Sequence, residues 1–390
     1  MRSAGLGCFR GESMEFTRVE ISRSALEANL RQFRAIAPHS LLAPVVKANA
    51  YGHGLIQVSR VMEEAGADWL CVNSVYEAVA LRREGIRLPL YVLGYVAPAE
   101  FDAVAELGLR AVVYDSETVR GLSAAGQRRG VRVLLHLKVE TGNNRQGLPP
   151  GDAVELARLA HGLPGVEVEG VSSHYADIED TTDHTFALSQ LARFNEACEG
   201  MRQAGLAPKV RNFSNSAATI LWPQTHFDLV RIGISLYGMW PSSHTFISAV
   251  MLKRHEFALT PAMTFKTVVA QVKPVPAGEF VGYGRSFRTT HAIRLAVLPV
   301  GYYDGYDRGM SNHGFVLING QIAPVRGRVC MNMTMVDVSD VRDVHAGSDV
   351  VLLGRQGEHA VTAEAIADWT HTINYEVTTR INERIPRVLV

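Results

Sequence analysis

Between Ser24 and about residue 235 the chain alternates short apolar runs with longer amphipathic stretches. The runs are LLAPVV (41–46), WLCVN (69–73), PLYVL (89–93), RAVVY (110–114), VRVLLHLKV (131–139), VEVEGVSS (166–173), KVRNFS (209–214) and DLVRIG (228–233). Most are β-branched and continuous rather than alternating, the pattern of strands buried on both faces. The stretches between them, such as LIQVSRVMEEAGA and SQLARFNEACEGMRQAG, have helical periodicity and close on glycine, a common helix stop. Ser24 is the expected N-cap of a helix ahead of the first strand. About eight such units predict a closed (β/α)8 TIM-type barrel over residues 15–250, with a doubly wound open sheet as the alternative.

After about residue 250 the texture changes. MTFKTVVAQVKPV, AIRLAVLPVGYY, GFVLING, MTMVDVSDV and DVVLLG are strand-like, with turn residues between them and little helical pattern before Ala363. Residues 251–390 therefore read as a second, mostly β C-terminal domain. Residues 1–14 carry basic side chains but no apolar core, so a signal peptide is not expected there. They are expected to be a disordered tail, with Met14 as an alternative start.

Charge narrows the partners. Lys+Arg and Asp+Glu are both 39, giving a formal net charge of zero, so neither nucleic acid nor an anionic membrane surface is the expected partner. No apolar run approaches the roughly 18 residues of a membrane span. Cys8, Cys71, Cys198 and Cys330 lie far apart without metal-site spacing, which suggests free thiols, a cytoplasmic setting and no bound metal. A small-molecule substrate is the remaining expectation.

In a barrel, chemistry sits at the C-terminal ends of the strands. Lys47 ends the first run, and the apolar APVV ahead of it suits either an ordinary solvated lysine or a Schiff-base lysine with a lowered pKa. The loops after strands seven and eight hold Asn215 and Ser216 at a helix start, and Gly233 and Ile234 just past the strand. Barrels frequently bind phosphate at this pair of loops, although a capping residue and a turn glycine would look the same. A Schiff-base lysine and a phosphate cradle on one barrel point to pyridoxal 5′-phosphate (PLP).

Seven segments occur in order: VVKANAYGHG, KVETGNNRQG (138–147), SNSAA, RIGISLYG (231–238), GYGRSF (282–287), VGYYDGY (300–306) and RVCMNM (328–333). Together they resemble the PLP-dependent alanine racemases, over roughly residues 18 to 387. The resemblance implies a racemase interconverting L-alanine and D-alanine by two bases, supplying D-alanine for bacterial cell wall. It makes Lys47 the cofactor-bearing lysine and one base, and Tyr283 the other base, given by the second subunit of a homodimer with shared sites. Tyr51, Ser216, the Gly233 and Ile234 amides and Tyr375 would hold the phosphate beside Asn215. Arg231 would face the pyridine nitrogen, with His174 continuing that hydrogen-bond chain. Arg145 and the partner's Met331 amide would orient the substrate carboxylate. Lys138, carbamylated in some relatives, and Tyr302 would support the site.

Arg231 is the most informative of these. A guanidinium does not give up its proton, so the ring nitrogen would stay unprotonated and the ring a weaker electron sink. That favours quick proton return over transamination or decarboxylation. Glu140, Asn143 and Asn332 depart from the usual family residues, which leaves serine or a broader substrate range open. A PLP decarboxylase of the same architecture and a non-catalytic PLP carrier are the competing expectations.

Overall fold

The computed structural model describes residues 16–252 and 257–390; the expected tail, residues 1–14, lies outside them. The described chain divides into two compact units. One comprises Ile21–Met263, Ile373–Glu383 and Leu389–Val390, and the other the segment up to Glu20, Thr264–Thr372 and Arg384–Val388. The chain thus returns to the first unit near its end, where a single boundary at residue 250 would have kept it in the second.

The first unit is built on eight parallel strands: β1 (Leu41–Pro44), β2 (Leu70–Val72), β3 (Leu90–Val92), β4 (Arg110–Val113), β5 (Val133–Lys138), β6 (Val166–Ser172), β7 (Val210–Asn212) and β8 (Leu229–Ile232). Each falls inside one of the eight apolar runs. Neighbours pair in chain order from β2 to β8, and β8 pairs with β1 from Leu41↔Leu229 to Pro44↔Ile232. A parallel bridge between Val45 and Cys71 joins β1 to β2 and closes the barrel. Alternation decides what lies inside: Ala43, Val45, Trp69, Cys71, Tyr91, Val112, Val210 and Leu229 form one buried cluster, as the two-residue strand period requires.

Helices cover the outside. Arg23–Ile36 buries Leu26, Leu30 and Phe33, a stripe at i, i+4 and i+7 in which each side chain contributes about 1.5–3 kcal/mol. Its N-cap is Ser22, not Ser24: the Ser22 hydroxyl accepts the Ala25 N–H at 3.3 Å. Both serines suit a cap chemically. The backbone of Ser22 is extended and that of Ser24 already helical, and this selects between them.

The second unit is mostly β. A seven-stranded sheet runs in the order Gln321–Pro324, Phe315–Ile318, Asp349–Gln356, Met263–Val268, Arg18–Ile21 and Arg387–Leu389, with His359–Val361 hairpinned onto Asp349–Gln356. A three-stranded antiparallel sheet (Gln271–Val275, Ile293–Leu298, Thr334–Asp337) and a short hairpin (Phe280–Val281 with Phe287–Arg288) complete it. That hairpin carries Tyr283 at its tip.

Candidate active site

At the C-terminal mouth of the barrel lies a cavity of about 840 Å³. Lys47, Tyr51, Lys138, Arg145, His174, Asn215, Ser216, Arg231, Gly233, Ile234 and Tyr375 all line it. These residues come from six separate segments of sequence, five of them strand ends and the sixth the returning C-terminal segment.

Lys47 opens an unusual turn. Ala48, Asn49, Ala50 and Tyr51 all have φ of 53–54°, four successive L-residues in the left-handed region at a cost of roughly 1–2 kcal/mol each. The surroundings hold the turn in place. The Glu77 carboxylate accepts from the Ala48 and Asn73 N–H groups, each at 2.7 Å, and the Asn49 side chain accepts from Leu55 N–H at 2.8 Å. Gly52 follows, where an added Cβ would lie 2.0 Å from the Thr378 carbonyl oxygen. That close approach seats helix Asn374–Thr379 against the turn and brings Tyr375 to within 6.1 Å of Tyr51, ring centre to ring centre.

At one end of the cavity the Ser216 hydroxyl accepts from Gly233 N–H at 2.9 Å. A Cβ on Gly233 would sit 2.8 Å from the Tyr51 hydroxyl, so only glycine leaves that space open. Asn215 caps the helix Ser216–Leu221 through Ala218 N–H (3.0 Å) and donates to the Glu179 carboxylate at 2.7 Å. Burial pushes the Glu179 carboxyl and the Tyr51 and Tyr375 phenols up.

At the other end Arg231 is 5% exposed. Its guanidinium donates to the Asn212 side-chain oxygen, to the carbonyls of Ser173 (2.7 Å) and Phe213 (3.2 Å), and lies 3.4 Å from His174 Nδ1. Among the described residues no carboxylate pairs with it. Burial, then Arg145 and Arg231, hold the Lys47 amine below its ordinary value. Burial, then Arg231 and Arg145, push Lys138 well down, with Glu140 opposing. Lys138 is not ion-paired to Glu140 among the described residues. Glu140 instead accepts Gly142 N–H at 2.5 Å. Burial works to raise that carboxyl, but the N–H groups of residues 142 to 145 bring it below the usual range, and this nest shapes the loop bearing Arg145.

The lining thus sets Lys47, Lys138, Arg145 and Arg231 against one carboxyl, Glu179. Such a pocket selects an anion with more than one charged group, and an amine with a lowered pKa in it can act as nucleophile or base. The glycine-lined space beside Tyr51 and Ser216, the carbonyl-anchored guanidinium and the amine between them fit the phosphate, ring nitrogen and aldehyde of PLP. Among the described residues no group of three or more His, Cys, Asp or Glu could hold a metal ion, and no described helix is long and apolar enough to cross a membrane.

Tyr283, Tyr302 and Met331 belong to the second unit, where they line one cleft of about 1210 Å³. Gly282 and Gly284 flank Tyr283 with φ of 72° and 70°. An added Cβ at Gly282 would meet Met335 at 2.9 Å, and one at Gly284 would meet Arg328 at 2.8 Å. The Tyr302 and Tyr303 N–H groups bond to the Cys330 and Met331 carbonyls, both at 3.0 Å. Tyr283 is held out at 74% exposure.

A (β/α)8 barrel with a lysine- and arginine-lined cavity at its mouth, followed in the same chain by a mostly β unit, defines the class of two-unit barrel enzymes. Family models for the alanine racemase N-terminal and C-terminal domains match residues 21–241 and 262–389. The chain belongs to the alanine racemase family, whose members are PLP enzymes. It is 42% identical to the alanine racemase of Symbiobacterium thermophilum (96% of this chain, 97% of that one) and 39% identical to that of Leptospira interrogans (95% of each). Among solved structures it matches alanine racemases of Clostridium difficile (TM-score 0.90, 31% identity, 97% of each chain) and of Streptomyces lavendulae (TM-score 0.89, 37%, 97% of this chain and 98% of that one).

Three residues of the site were absent from the sequence reading. Glu77 holds the turn after Lys47, Glu179 lines the cavity beside Asn215, and Asn212 anchors Arg231. Asn212 had a signal, since it shares the inward face of β7 with Val210. Glu77 and Glu179 had only their places in loops and helix starts after strands.

The neutral imidazoles carry a pH signature. Burial holds His174 and His136 below their ordinary 6.5; nearby cations add to it at His174, and at His136 burial prevails although Glu169 opposes it. The unfolded chain therefore takes up protons near pH 6.5 that the folded chain refuses. This stability is complete above that pH and is lost as pH falls from there through the folded values, by about 1 kcal/mol per unit for each group. Urea unfolding followed between about pH 7.5 and 5.5 should show that decline, and His174→Gln should flatten it.

Proposed function

We propose that this enzyme interconverts L-alanine and D-alanine with PLP, using Lys47 and Tyr283 as opposed bases, and that it works as a homodimer in the cytoplasm supplying D-alanine for cell wall. The observation that carries the reading is the pairing of a pKa-lowered Lys47 with a carboxylate-free, carbonyl-anchored Arg231 in one cation-lined cavity.

PLP joined to the substrate amine would withdraw electrons from Cα and acidify its proton. The remaining work falls to the chain. The Tyr51 and Ser216 hydroxyls and the Gly233 and Ile234 amides, with Tyr375 and the Asn215 cap beside them, would hold the phosphate. Arg231, anchored through Asn212 and flanked by His174, would keep its own proton at the ring nitrogen. Arg145 would orient the substrate carboxylate, with Met331 N–H of the partner subunit as second donor. Lys138 and Tyr302 would support these groups from either side.

Racemisation needs a proton removed on one face of Cα and delivered on the other. Lys47 Nζ, neutral more often than an exposed lysine, suits one face. The Tyr283 hydroxyl, exposed on its own unit, is free to serve the other face in a second copy. The purified protein should be yellow, and borohydride should bleach the colour and leave the label on the Lys47 peptide. A label on another lysine contradicts the assignment.

A further inference from the structure

Inside the barrel, below the cavity, five polar side chains from β4 to β8 form a continuous chain. Arg110 donates to both Glu169 oxygens (Oε2 at 2.7 Å and Oε1 at 3.0 Å), and Oε2 also accepts from His136 Nε2 at 3.1 Å. His136 Nδ1 lies 3.0 Å from Asn212 Nδ2, and Asn212 Oδ1 accepts from Arg231. His136 is wholly buried, with its ring against Tyr91 (4.5 Å between centres) and edge-on to Trp69 (5.6 Å), while the Arg110 guanidinium covers Trp69 at 4.2 Å.

The backbone is cut to fit this ring. The β5–β6 register shifts between Leu135 and His136, so that Leu135 pairs with Val168 and His136 with Gly170, leaving Glu169 as the extra residue of a bulge. A Cβ on Gly170 would fall 2.4 Å from His136 Nδ1. The bulge redirects the Glu169 carboxylate, and Gly170 leaves room for the imidazole as well as for the Val210 carbonyl oxygen, 2.7 Å from such a Cβ.

The polarity of the chain follows from donors and acceptors alone. A guanidinium only donates, so the Asn212 atom facing Arg231 is its oxygen. The amide nitrogen then faces His136, whose Nδ1 must accept. The ring proton therefore sits on Nε2 and goes to Glu169, which Arg110 keeps ionised. A proton on Nδ1 would set N–H against N–H, and turning the Asn212 amide would only move that conflict to Arg231.

We propose that His136 is a positioning residue for Arg231: fixed by Glu169 as the neutral Nε2–H tautomer, it locks the Asn212 amide with its oxygen toward the guanidinium. The orientation of the arginine offered to the cofactor ring is then set from the barrel interior. This functional consequence rests on the PLP reading above, whereas the tautomer does not.

The test uses holoenzyme labelled with ¹⁵N-histidine, the His136 signals identified by their loss in His136→Gln. Two-bond proton–nitrogen correlations near neutral pH should show a bare Nδ1 and a protonated Nε2. A proton on Nδ1, alone or with Nε2, overturns the proposal. Function is read with two variants. Glutamine keeps one acceptor and one donor, so His136→Gln should retain the visible band of the bound cofactor and kcat within about threefold. His136→Leu should shift that band and lower kcat about tenfold, with KM for alanine little changed. Equal impairment in both variants, or none in the leucine variant, overturns the proposal. The wild-type spectrum decides even if the leucine variant does not fold. A wild-type protein that binds no chromophore contradicts the PLP reading but leaves the tautomer measurement intact.

Discussion

Lys47→Ala should lower alanine racemisation by about 10⁴-fold or more, since it removes both the cofactor anchor and one of the two bases. The fold should survive. The left-handed turn after Lys47 is held by Glu77 and Asn49 through backbone N–H groups, and none of these contacts uses the lysine side chain. Removing a charge from a cation-crowded cavity should even relieve repulsion from Arg145 and Arg231, which already push Lys47 down. Lys47→Arg separates base from charge. It keeps the cation, but a guanidinium cannot deprotonate, so this variant should be as inactive as the alanine one. Racemisation in Lys47→Arg within about tenfold of wild type would show that no neutral amine is needed there.

Tyr283→Phe should lower racemisation by about 10²–10⁴-fold, the usual range for one acid–base group. Stability should shift by no more than about 0.5 kcal/mol, as for other exposed positions, because Tyr283 is 74% exposed. Loss of one face should also be asymmetric: washout of the α-proton from one enantiomer should persist better than interconversion of the two. Mixing inactive Lys47→Ala and Tyr283→Phe chains tests the shared dimer site. A heterodimer would hold one doubly damaged site and one intact site, so random exchange should restore about a quarter of wild-type activity. Demonstrated subunit exchange without recovery would contradict the trans arrangement.

The barrel was legible because its strands are buried on both faces. Eight continuous apolar runs bounded by glycine-stopped helices have few other ways to pack, and each run contains the strand it predicted. Lys47, Ser216 and Gly233 were singled out by the rule that barrel chemistry sits at strand ends, whereas Arg231 came only from the family resemblance. The left-handed turn was not. Ala48, Asn49, Ala50 and Tyr51 carry no glycine to announce positive φ, and the conformation is imposed by Glu77, which lies on a later helix.

The return of Ile373–Glu383 to the barrel unit was equally hidden. It depends on the contact between Gly52 and Thr378, at opposite ends of the chain, which no local pattern encodes. The interior chain through Arg110, His136 and Glu169 was masked by its strands' overall apolarity. VRVLLHLKV and VEVEGVSS read as core strands, and a single histidine or glutamate in them looks like an edge or solvent residue. Only the bulge at Glu169 shows that the two side chains meet inside.

The most direct measurement is exchange of the alanine α-hydrogen in deuterated water, with each enantiomer as starting material and both enantiomers and carbon dioxide followed. Racemisation by opposed bases at Lys47 and Tyr283 predicts α-deuterium in both enantiomers from either start, approach to equal amounts, and no carbon dioxide. Carbon dioxide release without interconversion, or interconversion that persists without PLP, would contradict it.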